Sequence, residues 1–181
     1  MTERLVFGLT GYSGTGKTTI SNHLADKGIV VEEGSGIIKV AAATRGSVPS
    51  TRQEYEEAFR TEQKYRGMSW LSERILASDG TSIMQVGLRA KPDFLNLKRH
   101  KGLIIALVCP IELCLARIDA SNPKNPRTAE EYLEHQAIEN NPDANGFGSY
   151  TQWCVEHADY SIDTSQSLEA VLGEVDAITL K

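Results

Sequence analysis

The chain is poor in most features that would tie it to a specialised setting. It has only 3 cysteines among 181 residues. Cys109, Cys114 and Cys154 are odd in number and lack metal-site spacing, so neither a disulfide framework nor a structural zinc site is expected. A chain of this length buries about 70% of its unfolded surface and needs no such staple. Its longest apolar run, Leu103 to Cys109, falls far short of the roughly 20 residues of a membrane span. The opening Met1-Thr2-Glu3-Arg4 has no basic region leading into an apolar stretch, so no secretory leader is expected. Positive charge is not in surplus either. Against 24 Asp and Glu stand 19 Lys and Arg, a net charge of −5, which argues against a broad footprint on duplex nucleic acid or a membrane surface. The one basic cluster, Lys98-Arg99-His100-Lys101, suits the last turn of a helix. What remains is one domain of ordinary composition over residues 1–181, expected in a reducing cytoplasm as a monomer or homodimer.

Strand and helix patterns alternate from start to end. Leu5–Leu9, Ile29–Val31, Ser82–Val86, Leu103–Val108 and Tyr160–Ile162 read as strands, the first an apolar run of the kind buried in parallel sheets. Lys17 to about Lys27 reads as a helix with Ile20 and Leu24 inward and Gly28 as its stop. Thr51 and Glu54 form a capping box opening a helix to about Arg66, with Tyr55, Ala58, Phe59 and Tyr65 on one face and a kink at Gly67 before Trp70–Ala77. Pro110 suits a first helical position ahead of Ile111, Cys114, Leu115 and Ile118. Thr128 with Glu131 is a second capping box, opening a helix through Glu139, and Leu168, Val171, Leu172 and Val175 form the stripe of a last helix. Such alternation predicts an α/β protein: three layers, α/β/α, around a five-stranded parallel sheet.

Gly11-Tyr12-Ser13-Gly14-Thr15-Gly16-Lys17-Thr18 matches G-x-x-x-x-G-K-[ST]. Glycines let the backbone turn its N–H groups onto phosphate oxygens. The helix that follows offers unpaired N–H groups and the positive end of its dipole. Lys17 supplies a mobile charge for the β- and γ-phosphates, and the Thr18 hydroxyl can ligate Mg²⁺. The motif follows a strand and opens a helix, the context its mechanism requires. Gly11, Ser13, Gly14, Thr15, Gly16, Lys17, Thr18 and Thr19 are therefore the expected binding residues for ATP, with Thr18 the expected metal ligand. The fold implied is that of the P-loop-containing nucleoside triphosphate hydrolases.

A GTPase switch should carry N-K-x-D on a late strand and D-x-x-G after the third. The first is absent, and the one D-x-x-G, Asp143 to Gly146, lies in a loop after a helix. A small-molecule kinase needs instead an acceptor region, a carboxylate near the acceptor hydroxyl and cations for the phosphoryl group in flight.

Thr10 to Thr19, with Phe7-Gly8-Leu9 before it, resembles the opening of dephospho-CoA kinases and their nucleoside-monophosphate-kinase relatives. Val86-Gly87-Leu88-Arg89 is similar to the D-G-(F/I)-(P)-R element of adenylate-kinase-like proteins. Cys109-Pro110-Ile111-Glu112 through Arg117 resembles their fourth strand and lid-leading helix, where an arginine touches the phosphates. Ala158-Asp159-Tyr160-Ser161-Ile162-Asp163 with Ser167-Leu168 resembles the A-D-x-x-I-x-N-x-x-S-L ending of dephospho-CoA kinases and archaeal adenylate-kinase-related proteins, which passes near the adenine. The chain departs from the pattern at Val86, where relatives carry Asp, and at Asp163, where they carry Asn. The resemblance implies an ATP- and Mg²⁺-dependent kinase of a small nucleotide-like acceptor, a nucleoside monophosphate before dephospho-CoA. The missing Asp implies a rival, a nucleotide-binding protein with weak or no transfer.

On this reading an acceptor-binding insertion spans about 34–80 and a short lid about 118–130. Glu33 falls where relatives place the carboxylate that receives or orients the acceptor proton. Glu32 is the runner-up, since strand alternation sends only one of the two toward the loop. Ser35 is a weaker candidate for acceptor contact. Arg89 can grip a phosphate bidentately or form a structural ion pair. Arg117 and Arg127 are candidate lid arginines, with plain surface arginines as the alternative. Arg45, Arg52 and Arg60, and the aromatic Phe59, Tyr65 and Trp70, lie in the insertion, as acceptor contacts or as packing. The cysteines read as small buried hydrophobes, and no role falls to the four histidines.

Overall fold

The computed structural model describes residues 4–119, 121–122 and 124–180. In chain order these form β1 (Leu5–Thr10), α1 (Lys17–Asp26), β2 (Val30–Glu33), α2 (Gly34–Ala43), α3 (Arg52–Arg66), α4 (Trp70–Leu76) and β3 (Ser82–Val86). There follow α5 (Lys91–Arg99), β4 (Leu103–Val108), α6 (Ile111–Arg117), α7 (Ala129–Ile138), α8 (Thr151–Glu156), β5 (Tyr160–Asp163) and α9 (Leu168–Thr179). The five strands are all parallel, in the order β2-β3-β1-β4-β5.

Alternation along each strand divides the core into two layers. Val6, Ile83 and Ile104 pack with Phe59, Trp70, Leu71, Phe94 and Leu97 on one face. Phe7, Leu9, Met84, Val86, Ile105 and Leu107 pack with Ile20, Leu24, Val171 and Val175 on the other. The three-layer α/β/α arrangement expected from the sequence is the one observed. Because β1 lies between β3 and β4, the chain leaves the sheet in opposite directions on its two sides. A crevice opens there at the carboxyl ends of the strands, the usual ligand position in open parallel sheets. No helix among the described residues is long and apolar enough to cross a membrane.

Several local expectations are corrected. Parallel pairing of Glu32 with Gln85 and of Glu33 with Val86 carries β2 two residues past its apolar stretch. That extension brings Glu33 to the carboxyl edge. The pattern alone marks no helix over Gly34–Ala43, where Gly34 and Gly36 disfavour one. Ile37, Ile38, Ala41 and Ala42 bury one side of α2 and override the propensity. The capping box at Thr51 and Glu54 is present in full. The buried side of α3, however, holds Glu56, Glu62 and Gln63 beside Phe59, while Tyr65 is 70% exposed, its ring covered by Arg45 at 3.7 Å. Glu62 sits there because it bonds both Arg45 and Arg66. At α7 only half the expected box forms. Thr128 accepts from the Glu131 amide, but the Glu131 carboxylate takes the amide of Arg127 instead. Pro110 is the N-cap of α6, one residue ahead of its expected place. Cys114 and Cys154 are buried as expected.

Candidate active site

Glycine geometry builds the loop between β1 and α1. Gly11, Gly14 and Gly16 all have positive φ. A Cβ on Gly14 would lie 2.4 Å from the carbonyl oxygen of Cys114, and one on Gly11 would lie 2.6 Å from that of Leu107. The loop is thus laid directly on backbone of α6 and β4, an approach that no larger residue permits. Thr15 is buried and donates to the Tyr12 carbonyl at 2.8 Å. Gly11 and Thr15 therefore shape the loop from inside. Ser13, Gly14, Gly16, Lys17, Thr18 and Thr19 line a cavity of about 690 Å³ over it, a volume suited to small-molecule ligands.

Lys17 lies along the loop, its Nζ donating to the carbonyls of Gly11 at 2.7 Å and Tyr12 at 2.5 Å. Burial, with Arg89 and Arg52 nearby, pulls its pKa down to about 7 against the opposing pull of Glu139. Helix α7 secures the loop from the side. The Tyr132 hydroxyl donates to the Ser13 carbonyl at 2.8 Å, and Asn140, just beyond α7, donates to the Tyr12 hydroxyl at 2.7 Å. Past the loop, the cavity runs along Arg117, Thr164, Gln166, Leu168 and Val171. Arg117 is fixed there by donating to the Thr164 carbonyl at 2.8 Å.

The far end of the cavity is built from side chains. Glu33 lines it, whereas Glu32 turns away to accept from the Ser78 hydroxyl at 2.8 Å. Arg89 and Arg52 meet on one carboxylate, that of Glu139, at 2.6 Å and 3.1 Å. Arg52 also donates to the Ser13 hydroxyl at 3.1 Å, which ties the pair to the phosphate loop. Glu139 is 1% exposed. Burial works against its charge, yet Arg89, Arg52 and Lys17 together hold it below the usual carboxylate range. Lys124, from the segment between α6 and α7, enters the same space with its ammonium 5.3 Å from the Tyr55 ring. Burial lowers its pKa, and Arg52 and Arg89 lower it further. Lys17, Arg52, Arg89 and Lys124 thus converge beside two buried carboxylates, Glu139 and Glu56, with Glu33 also on the cavity wall.

Ile38, Phe59, Leu71 and Val86 supply apolar wall at this end. Glu56 accepts from both the amide and the hydroxyl of Ser149 at 2.7 Å. Asp93 shares the wall, and its Oδ2 is buried with no partner among the described residues. Ser35 lines the cavity too. Arg127 is exposed and does not line it, nor do Arg45 and Arg60, which serve Glu62 and Glu56. Glu139, Tyr132, Lys124 and Asp93 escaped sequence reading. No motif marks them, although the sole Lys in the loop of 118–128 could have drawn notice to Lys124. No group of three or more His, Cys, Asp or Glu positioned to hold a metal occurs among the described residues. A cation would depend on the exposed Thr18 hydroxyl, phosphate oxygens and water, which suits Mg²⁺.

The family model described as an AAA domain matches residues 8–139. No curated protein gives a significant sequence match. Among solved structures, shikimate kinase from Acinetobacter baumannii in complex with shikimate aligns over 98% of this chain and 94% of its own, with TM-score 0.65 and 21% identity. Shikimate kinase from Aquifex aeolicus aligns over 97% and 96%, with TM-score 0.57 and 16% identity. That from Bacteroides thetaiotaomicron aligns over 98% and 99%, with TM-score 0.57 and 17% identity. These likenesses show a shared α/β P-loop fold across nearly the whole chain.

Proposed function

The chain belongs to the AAA domain family, and from that premise we propose that it is an ATP-dependent small-molecule kinase whose acceptor is a nucleoside monophosphate. The observation that carries the reading is the arginine pair. Arg52 and Arg89 share Glu139, touch the phosphate loop through Ser13 and lie close enough to depress Lys17. An acceptor whose own anion must come up against the γ-phosphate needs cations at that place, and guanidinium pairs suit phosphate. The structurally similar shikimate kinases support the reaction class.

In this reading ATP lies on Gly14, Gly16, Lys17, Thr18 and Thr19, with its base toward Gln166 and Leu168. Thr18 would hold Mg²⁺, which when bound screens phosphate charge. Arg89 and Arg52 hold the acceptor phosphate in line, and Glu33 orients the acceptor from the edge of β2. Lys17, Arg117 and Lys124 balance charge on the phosphoryl group in transit. Residues 34–80 form the acceptor side, and 118–130 form a lid that keeps water from the reacting phosphate. Arg127 would serve only if that lid moves.

A second reading, nucleotide binding without efficient transfer, is favoured by one fact: Val86 lines the cavity where the resembled kinases carry Asp. The deciding experiment is ADP release with ATP and Mg²⁺ against all nucleoside monophosphates, dephospho-CoA and shikimate. Stimulation by nucleoside monophosphates alone bears out the proposal. Stimulation by dephospho-CoA or shikimate reassigns the acceptor. Nucleotide binding without stimulated release favours the second reading.

A further inference from the structure

The three cysteines of the chain divide into one isolated thiol and one pair. Cys154 is buried on α8, in the layer of Phe94 and Leu97. Cys109 and Cys114 flank the start of α6. With Pro110 as the N-cap, they hold the position just before the cap and the fourth one after it, whose side chains meet across a helix start. Any apolar pair serves that packing, so packing alone does not call for two thiols. Cys114 is fully buried, and its Sγ donates to the Cys109 carbonyl at 3.8 Å. Burial pushes the Cys114 thiol up from its ordinary range; the Tyr132 hydroxyl opposes this and Cys109 adds to it, so both groups lie against this sulfur. Cys109 is only half-buried. Its Sγ accepts an N–H of Arg117 at 3.5 Å on the exposed side, and a guanidinium there favours the negative charge that sulfur gathers as it attacks. One thiol is open and charge-assisted, and the other is enclosed beside it.

Resting on the proposed function for its consequence, we infer that Cys109 and Cys114 form an oxidation site, where hydrogen peroxide closes a disulfide that weakens nucleotide binding. The Cys109 sulfur attacks one peroxide oxygen. An S–O bond forms as the O–O bond breaks, the thiol proton leaves with the other oxygen as water, and the sulfur becomes a sulfenic acid. The Cys114 sulfur then displaces the sulfenic oxygen, which takes the Cys114 proton and departs as a second water. The two thiols give up two electrons and two protons, and the peroxide is reduced to two waters. The new bond draws Cys114 toward the end of β4. The Cys114 carbonyl lies against Gly14, where a Cβ would come within 2.4 Å of it. The Cys114 sulfur abuts Tyr132, which holds the Ser13 carbonyl. A shift of Cys114 therefore reaches the phosphate loop through two contacts.

The test treats the reduced full chain with hydrogen peroxide, then reads it by peptide mass and by titration with a fluorescent ATP analogue. Both cysteines fall in the tryptic peptide 102–117, which should lose two hydrogens, while Cys154 stays free to be alkylated once the chain is unfolded. Affinity for the analogue should fall at least fivefold and return on adding dithiothreitol. Cys109→Ala should keep the reduced affinity and lose the response to peroxide. In Cys114→Ala the reaction should stop at a Cys109 sulfenic acid, trapped by dimedone. Should neither variant fold, the wild-type peptide and titration decide. An unchanged peptide mass, or a disulfide that leaves affinity within twofold, overturns the inference and leaves the proposed function intact. No nucleotide binding by the reduced protein overturns both.

Discussion

At the phosphate loop, the proposed recognition rests on one continuous run of chain, Gly11 to Thr19, in which glycine geometry and the first turn of α1 present backbone N–H groups. At the opposite end of the cavity, the proposed recognition rests on side chains at positions 33, 52, 89 and 124, carried by β2, α3, the β3–α5 turn and the α6–α7 segment, with the two arginines paired by the buried Glu139 at the end of α7. The first device is local and fits any polyphosphate. The second is assembled by tertiary folding and can be retuned one residue at a time. A family that keeps its nucleotide and changes its acceptor would be expected to divide labour in this way.

The largest effect should follow from striking the element both ends share. Lys17→Ala should lower turnover on the order of a thousandfold and weaken ATP binding, read by ADP release and by titration with a fluorescent nucleotide. Retained ATP affinity would mean the loop holds phosphate by backbone alone.

Next comes Glu139→Leu, which leaves Arg52 and Arg89 without their counter-charge. Removing one member of a buried ion-pair set costs about 3–5 kcal/mol, measurable by urea unfolding, and Glu139→Gln should cost less. In either folded variant the acceptor KM should rise more than the ATP KM. Equal changes would break the division between the two ends.

A smaller effect is linked to protons. Lys17 titrates at about 7 in the free protein, and a bound triphosphate raises that value by supplying opposite charge. A group whose pKa rises on binding takes up a proton, so ATP affinity should be highest below pH 7. It should fall as pH climbs from there toward the bound-state value. Calorimetry at pH 8.5 in two buffers of different ionisation enthalpy should show net proton uptake, which Lys17→Met should abolish. Smallest of all, Arg127→Ala should change kcat and KM less than about twofold, as for surface changes away from a site. A tenfold loss would mean that the segment swings inward during turnover.

The same contrast explains what the sequence discloses. The strands, α1 and the phosphate loop were legible because their signals are local: apolar runs, capping residues and a fixed glycine spacing. The pair Glu32 and Glu33 was legible as alternatives, and the structure separates them by placing Glu33 on the cavity wall and Glu32 on the Ser78 hydroxyl. Arg89 was offered as phosphate grip or ion pair, and the structure gives it both a cavity position and a carboxylate partner. Glu139 could not be read. It looks like an ordinary charge at the end of an amphipathic helix until two arginines, 50 and 87 positions away, close on it. The buried side of α3 misled in part for the same reason: Glu56 is inward where Ser149, 93 positions away, meets it, while Glu62 is held by Arg45 and by Arg66 one turn on.

The two helices that flank the α6–α7 segment both grip the phosphate loop, α6 through backbone contact of Cys114 with Gly14 and α7 through Tyr132 on Ser13. Whatever lies between them is a strap with both buckles fastened. Its length is then nearly free to change, because doubling a closed loop costs only about 0.6 kcal/mol of chain entropy. The fold can acquire a longer cover, and with it room for a bulkier or differently charged ligand, without disturbing the loop proposed to hold the triphosphate.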